Sequence, residues 1–305
     1  MERIFKDNKY KTLLAVICSV GWSLAYPFIK IGYQKFQIAP DDLGGKILFA
    51  GVRFFMAGVF VLLFCLFRKE PLRLKEKKDL RWLFLLALVN TTLHYIFAYI
   101  GLGYNPSARS TILDSLSSFI LIFLSTMIFA DDRMSSGKII GCLLGLAGII
   151  VINIEPGRHF FENITFRGDG MILINVLFSA LGGLITRVVS RKMNIMPATG
   201  WGMMTGGLLI LLTGFVIGQD RPWVITATGL WVLFFLIMIS AVCFAIYNEL
   251  LAWHPISKIS IYCALIPVLG VIFAALLLKE ELKWQYFISV LLVASGIWLV
   301  NREQS

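Results

Sequence analysis

Charge is scarce in this sequence. Only 15% of its 305 residues are Asp, Glu, Lys or Arg, whereas 58% are hydrophobic. A water-soluble domain of this size needs a more charged surface, so the composition excludes a soluble globular protein. The apolar residues instead fall in runs of about twenty, the length at which a helix crosses a hydrocarbon layer of roughly 30 Å.

Several chemical signatures are also missing. The five cysteines lie within apolar runs and show no metal-ligand spacing with the three histidines, so we expect no metal site and no cofactor. No Gly-Lys-Ser/Thr phosphate loop occurs, which argues against transport driven by ATP hydrolysis within this chain. The formal charge of +10 is concentrated in connections between apolar runs, which favours a membrane and not nucleic acid as the partner.

Ten apolar runs can be drawn along the chain. Their approximate spans are 12–31, 47–67, 82–102, 108–130, 138–154, 169–188, 200–218, 229–250, 258–278 and 285–301. We therefore predict an all-α integral membrane protein with ten transmembrane helices. A first five-helix unit spans residues 1–154, a linker spans 155–167, and a second five-helix unit spans 168–305.

One block of sequence occurs twice. An offset of 149 pairs Pro106 with Pro255, and it pairs the acidic residues Asp131-Asp132 with Glu280-Glu281. After the acidic pair the second copy is one residue shorter, so Gly148 pairs with Gly296 at an offset of 148. Each copy reads as two helices joined by a short acidic turn. Since five crossings bring the chain to the opposite face of the membrane, the second unit must sit upside down, as an inverted repeat.

The basic residues predict the orientation. With the N-terminus in the cytoplasm, the cytoplasmic segments carry about twice as many Lys and Arg as the opposite side. Positive charge is enriched in cytoplasmic loops of membrane proteins. We therefore expect a multi-pass protein of the plasma membrane with both termini in the cytoplasm.

Three stretches carry a resemblance to a known family. They are Trp22–Gly32 in helix 1, Arg53–Gly58 in helix 2, and the repeated block in which an acidic residue closes helices 4 and 9. The chain resembles the EamA-type ten-helix carriers of the drug/metabolite transporter superfamily. The resemblance implies a secondary carrier with a central cavity, commonly an exporter of amino acids or other small metabolites. The first copy departs from the pattern, since Ser118 stands where the second has Pro267.

Asp114 is an acidic residue inside the predicted fourth helix, about six residues from its start and therefore roughly 9 Å along the axis. A carboxylate at that depth costs several kcal/mol unless water, a partner or a proton compensates it. Ser118 and Ser125 share its helix face, so we expect that face to line a cavity. Asp114 is a candidate for proton coupling or for contact with a substrate amine, and a structural ion pair with Arg53 or Arg109 is the alternative.

Arg53 and His94 are the other ionisable candidates. Arg53 lies early in helix 2, where its guanidinium can bind a substrate carboxylate through two hydrogen bonds. An interfacial position or an ion pair within the bundle is the alternative. His94 shares a face of helix 3 with Asn90 and is the second candidate for proton coupling, with a neutral core histidine as the alternative.

Further candidates for the walls of a substrate site are aromatic or polar residues within the predicted helices. They are Trp22, Tyr26, Tyr99, Ser118, Tyr247, Asn248 and Tyr262. Trp22 and Tyr26 lie one turn apart just before Pro27, which removes a backbone donor from helix 1. With Tyr262 and Trp201 they predict an aromatic wall, and belt packing at the membrane interface is the alternative.

These features favour a non-enzymatic secondary transporter, an exporter of small metabolites such as amino acids or drug-like compounds, that works by alternating access. Its partners would be the small-molecule substrate, the lipid bilayer and a coupled proton. A stripe of small residues on helix 5, which includes Gly141 and Gly148, permits close contact either within the chain or in a homodimer. The alternatives are an intramembrane enzyme, for which Ser118 has no histidine beside it in sequence, and a channel, which usually shows stronger polar repeats.

Overall fold

The computed structural model of the chain describes residues 5, 7–72, 79–129, 134–152, 164–256, 259 and 261–302. These residues form ten helical segments. In chain order they are α1 Asn8–Lys35, α2 Leu43–Phe67, α3 Asp79–Tyr104, α4 Ser107–Ile128, α5 Ser136–Ile152, α6 Phe166–Ser190, α7 Ile195–Ile217, α8 Ala227–Trp253, α9 Leu265–Leu278 and α10 Trp284–Arg302.

Seven of these helices, namely α1 to α4 and α6 to α8, are long and apolar enough to cross a membrane, whereas α5, α9 and α10 have shorter apolar stretches in the part of the chain that is described. The all-helical membrane architecture is thereby confirmed. Ten crossings stay a prediction. The acidic pair Asp131-Asp132 and most of the predicted linker lie outside the described residues, and α6 already begins at Phe166, inside that linker.

Short polar side chains set the starts of several helices. The carboxylate of Asp42 accepts a hydrogen bond from the Gly45 amide at the start of α2, with a length of 2.7 Å. Asn194 and Thr226 cap α7 and α8 in the same way. These caps satisfy backbone N–H groups that have no partner within the helix. They also explain why helices begin where an Asp, Asn or Thr precedes an apolar run.

In the described part of the chain, four helices are irregular near their middle or at one end, and one of them is α6, whose first turn, Phe166–Gly170, is π-helical. Residues 86–93 of α3 are π-helical. Helix α4 is interrupted at Ser115, whose hydroxyl bonds the Ile112 carbonyl at 2.5 Å. A 3₁₀ turn, Ile261–Ala264, precedes α9. Because Ser115 and Ala264 differ by the offset of 149, the two interruptions are equivalent. Discontinuous helices in membrane proteins occur where irregular backbone lines a cavity.

Glycines allow the backbones of α2 and α7 to contact each other directly. A Cβ at Gly58 would lie 2.3 Å from the Met204 nitrogen, and a Cβ at Gly207 would lie 2.2 Å from the Phe55 nitrogen. Such small residues let membrane helices approach closely. Gly58 and Gly207 differ by 149, as do Phe55 and Met204. The contact of Gly58 with Met204 is therefore equivalent, under the repeat, to the contact of Gly207 with Phe55.

The pairing of α5 with α10 repeats in the same manner. A Cβ at Gly148 would lie 3.0 Å from the Ser289 carbonyl oxygen, and a Cβ at Gly296 would lie 2.5 Å from that of Gly141. Both pairs are related by the offset of 148 that follows the dropped residue. The small residues of α5 are thus used in packing within the chain, and this stripe gives no support to a homodimer.

The other helix contacts are also equivalent between the two halves of the chain. Helix α1 packs on α8 and α9, and the corresponding helix α6 packs on α3 and α4. Helix α2 also contacts α8, and its counterpart α7 contacts α3. Helices α4 and α9 contact each other directly. The interrupted helices therefore meet near the centre of the bundle, between the two halves.

Candidate functional site

A cavity of about 140 Å³ lies between the two halves, with walls from α1, α2, α3, α4, α6 and α8, from the turn before α9 and from the start of α9. Nine of the ten residues predicted from the sequence line it. They are Trp22, Tyr26, Arg53, His94, Tyr99, Asp114, Ser118, Tyr247 and Asn248. Their role in binding a substrate is a prediction, which the shared cavity makes testable.

Tyr262 is the predicted residue that the structure does not bring into the cavity wall. Its hydroxyl lies 2.7 Å from the hydroxyl of Thr12 on α1. Trp201 is also elsewhere, since its indole N–H donates to the Leu72 carbonyl at 3.2 Å. The predicted aromatic wall therefore keeps Trp22 and Tyr26 and loses the other two members.

The guanidinium of Arg53 is fixed by hydrogen bonds from Nε and Nη1. Its Nε donates to the Ser240 hydroxyl at 2.7 Å and to the Leu236 carbonyl at 3.1 Å, and Nη1 donates to the Tyr99 hydroxyl at 2.8 Å. The side chain is 2% exposed, which excludes the predicted alternative of an interfacial arginine. Among the residues that the structure describes, no carboxylate pairs with Arg53 and Nη2 has no hydrogen-bond partner.

Asp114 ends the first segment of α4, directly before the interruption at Ser115. The amide of Asn175, on α6, donates to its carboxyl group at 2.6 Å, and the Tyr26 hydroxyl also interacts with it. Within the described residues the carboxyl group forms no ion pair. Arg109, one predicted alternative partner, instead binds Asp169 at 2.7 Å. The cavity wall therefore carries an acidic and a basic side chain that are not paired with each other.

His94 follows the π-helical stretch of α3, which also contributes Asn90 to the cavity wall. Its Nδ1 atom is buried without a partner of hydrogen-bonding geometry in the described part of the chain. π-Helical insertions are frequent at functional sites. The stretch thus places the histidine and an amide side by side on the cavity wall.

Neutral groups complete the wall. Trp22 packs edge-on against Tyr247, with ring centroids 4.8 Å apart, and its indole N–H is buried without a hydrogen-bond acceptor among the described residues. The Asn248 amide donates to Thr199 at 2.8 Å. Ser118 interacts with the thiol of Cys263. Such a wall is apolar over most of its surface and offers a few fixed polar groups, as small-molecule sites do.

Sequence reasoning missed Asn175 and Ser240, which hold Asp114 and Arg53. Both are nearly inaccessible, with exposures of 1% and 0%. Each lies within an apolar run, and Asn175 is followed on its own helix face by Ser179 and Thr186, which line the cavity. An amide in a predicted membrane span is itself a signal, because polar side chains there must face a partner or a cavity.

One end of the bundle is closed by a polar seal between the halves. The seal comprises Glu280, Ser107, Ala108, Arg109 and Asp169. The Glu280 carboxylate, just beyond α9, accepts hydrogen bonds from the backbone amides of Ser107 at 2.7 Å and Ala108 at 3.0 Å. The ion pair of Arg109 with Asp169 joins α4 to α6 beside it. The seal therefore ties three helix ends together.

A bundle of membrane-length helices around a buried cavity with a few fixed polar groups is the architecture of a membrane transporter of small molecules. The model of the EamA-like transporter family matches this chain twice, over residues 10–154 and 166–302. The chain belongs to this family, as its sequence features predicted.

Individual relatives agree with this assignment. The chain is 26% identical over 299 residues to the uncharacterized transporter YvbV of Bacillus subtilis (strain 168), covering 95% of this chain and 91% of the relative. It is 21% identical over 296 residues to a probable amino-acid metabolite efflux pump of Escherichia coli (strain K12), covering 94% and 93%. A crystal structure with 15% sequence identity superposes with a TM-score of 0.72 and covers 98% of this chain and 100% of the other. At that identity it supports the fold alone.

Proposed function

We propose that this protein is a secondary carrier that moves a small zwitterionic metabolite, of the amino-acid class, out of the cell by alternating access. The observation that carries the proposal is the pair of Arg53 and Asp114, which line one cavity without pairing with each other. An α-amino acid carries one carboxylate and one ammonium group. The two side chains offer one complementary partner to each.

The energetics support this assignment. A charged group within a membrane protein costs several kcal/mol unless it is paired or hydrated. Arg53 keeps Nη2 without a partner among the described residues, while its other contacts fix the plane of the guanidinium. A substrate carboxylate would complete this coordination with charge-assisted hydrogen bonds. Asp114 would receive the substrate ammonium or a proton, and His94 is the second candidate for carrying the proton.

The size of the cavity favours small metabolites over drug-like compounds. Its volume of about 140 Å³ lies below the roughly 300–1,000 Å³ common for sites of drug-sized ligands. The relative from Escherichia coli whose name refers to amino-acid metabolite efflux supports the same substrate class and the outward direction. Trp22, Tyr26, Tyr99, Ser118, Tyr247 and Asn248 would form the neutral walls around the substrate.

The proposed architecture has two five-helix units, residues 1–154 and 168–305, inverted relative to each other, with ten crossings. The equivalent glycine contacts of α2 with α7 and of α5 with α10 support an exchange of halves about an axis through the centre. In the orientation that the basic residues predict, both termini lie in the cytoplasm of a plasma-membrane protein, and the polar seal lies on the outer side. The cavity wall extends the other way, to Thr186 and Leu251, which suits a conformation facing inward.

Proteoliposomes with purified protein test the proposal. Saturable uptake of a labelled amino acid that accelerates when the lumen is preloaded with unlabelled substrate would demonstrate a carrier. Two matched competitors, the amine without its carboxylate and the acid without its ammonium, should each compete at least about tenfold less well, since a lost charged hydrogen bond costs about 1.5–3 kcal/mol. Equal competition by all three would refute the zwitterion site.

The same preparation separates the alternatives. A channel would show flux without saturation and without acceleration by preloaded substrate. An intramembrane enzyme would convert a lipid or peptide into a new product, and Ser118→Ala would abolish that conversion. Counterflow with an unchanged substrate recovered on both sides would exclude both alternatives.

A further inference from the structure

Asn175 lies on α6, which packs against both segments of α4. Its side chain is 1% exposed, and its Nδ2 donates to the Asp114 carboxyl oxygen at 2.6 Å. The amide oxygen is also buried but has no hydrogen-bond partner in the described part of the chain. Asn175 is absent from the cavity wall that contains Asp114. It can therefore reach a substrate or a proton only through that carboxyl group.

Packing alone does not account for an asparagine at this position. A leucine has the same branched shape and the same number of side-chain heavy atoms, and it leaves no polar atom unsatisfied, whereas a buried amide oxygen without a donor is destabilising. The residue accepts this cost and supplies a single hydrogen bond. That bond is directed at a carboxyl group which, among the described residues, has no ion-pair partner.

We propose that Asn175 is a positioning residue for Asp114: its amide orients the carboxyl group toward the cavity and stabilises the charged form, and so sets the pH at which Asp114 takes up a proton. This inference rests on the proposed function, in which Asp114 carries the coupled proton. A hydrogen bond donated to a carboxylate favours the ionised form. Removing the donor therefore favours protonation.

The other groups around Asp114 leave this role to Asn175. Tyr26 on α1 interacts with the carboxyl group but belongs to the cavity wall, where a substrate can displace the contact. Arg53 on α2, Tyr95 on α3 and Cys263 before α9 influence the same electrostatic environment. Asn175 is the partner that approaches from outside the cavity, so its bond persists when the cavity fills.

The test measures transport of a labelled amino acid into proteoliposomes between about pH 5 and pH 9. Asn175→Leu should move the pH of half-maximal transport upward by about one unit, a tenfold change in proton affinity. Asn175→Asp should move it further in the same direction, because a second carboxylate beside the first disfavours ionisation. Asn175→Ala, a smaller replacement, serves if the leucine variant does not fold, and thermal unfolding in detergent checks all variants.

The same substitutions in Asp114→Asn protein distinguish the proton role of Asp114 from the positioning role of Asn175. In Asp114→Asn protein, Asn175→Leu and Asn175→Ala should leave the pH profile unchanged, because the group they act on is gone. If Asp114→Asn alone leaves the wild-type pH profile intact, both the proton role of Asp114 and this inference fail. If it removes the pH dependence while the three Asn175 variants keep the wild-type midpoint, only the role of Asn175 is refuted. A midpoint that rises in the order Asn, Leu, Asp supports it.

Discussion

Replacing Glu280 with glutamine should release the polar seal. Helix α4 begins at Ser107 after Pro106, which offers no side-chain cap. Its first backbone amides are therefore satisfied from the other half of the molecule, by the two oxygens of Glu280. A carboxylate is also favourable beside the positive end of a helix dipole. Because this contact joins α9 to α4, we expect it to break whenever the halves separate at that end.

The structure gives the size of the effect. Hydrogen bonds to a charged acceptor contribute about 1.5–3 kcal/mol each and those to a neutral one about 0.5–1.5 kcal/mol. Glutamine keeps one acceptor oxygen, so one bond is lost and the other is weakened. Glu280 is half-buried, which reduces the loss to about 2 kcal/mol. At 1.4 kcal/mol for each factor of ten, the open population should rise about thirtyfold.

A native thiol provides the assay. Cys263 lines the cavity, and a variant retaining it as the sole cysteine reports access to the site. The other four thiols, all replaced, are Cys18, Cys65, Cys142 and Cys243. A membrane-impermeant maleimide applied from outside should label Cys263 about thirtyfold faster in Glu280→Gln protein than in its parent.

The neighbouring glutamate is the matched control. Glu281 is exposed, and Glu281→Gln removes the same charge one residue away without touching the α4 amides. Its labelling rate should stay at the parental value. Equal acceleration by both substitutions would show that net charge and not the contact governs opening. Acceleration seen only with reagent on the cytoplasmic side would reverse the proposed orientation.

Five other substitutions, two of them controls, probe the site and the packing. Arg53→Lys keeps the charge but loses the planar fork that bonds several partners at once, so KM for an amino acid should rise about tenfold in counterflow assays, and an unchanged KM would remove Arg53 from the site. Gly207→Ala forces a Cβ into the backbone of α2 and should cost about 1–3 kcal/mol, seen as a lower unfolding temperature in detergent. A Cβ at Gly202 would have the side chain of a leucine as its nearest neighbour, at 3.1 Å, and no backbone atom that near, so Gly202→Ala should change that temperature much less. Trp22→Ala should weaken ligand-induced thermal stabilisation, whereas Tyr262→Phe, which loses only a contact outside the cavity, should not; the reverse order would restore the full aromatic wall.

The helices were predictable because a bilayer imposes their length and apolar character. The predicted runs 12–31 and 169–188 fall within α1 and α6, whose ends extend further because Asp7 and Thr165 cap them beyond the apolar stretch. The interruption of α4 was not predicted. It depends on the Ser115 hydroxyl bonding a carbonyl of its own helix, a choice that composition does not determine.

Most of the candidate site was also predictable, because ionisable and polar side chains inside a membrane span must face a cavity or a partner. That rule selects Asp114 and Arg53 without any knowledge of the packing. It fails for Tyr262, which stands at a helix end where its hydroxyl reaches Thr12. It also does not reveal which polar side chains touch each other, and for that reason the bond between Asn175 and Asp114 became visible only in three dimensions.

The duplication separates what builds the fold from what would select a solute. Glycines that bring helices together recur at equivalent positions in both halves. They recur because two related halves that pack against each other use the same contact surfaces. The charged groups of the cavity do not recur: at the offset of 149, Gly202 stands in place of Arg53 and Cys263 in place of Asp114. Both charges therefore belong to the first half, although the second half contributes to the same wall. A solute held by both charges would therefore be bound by the first half, while Ser240 and Asn175 of the second half hold the two charged side chains in place.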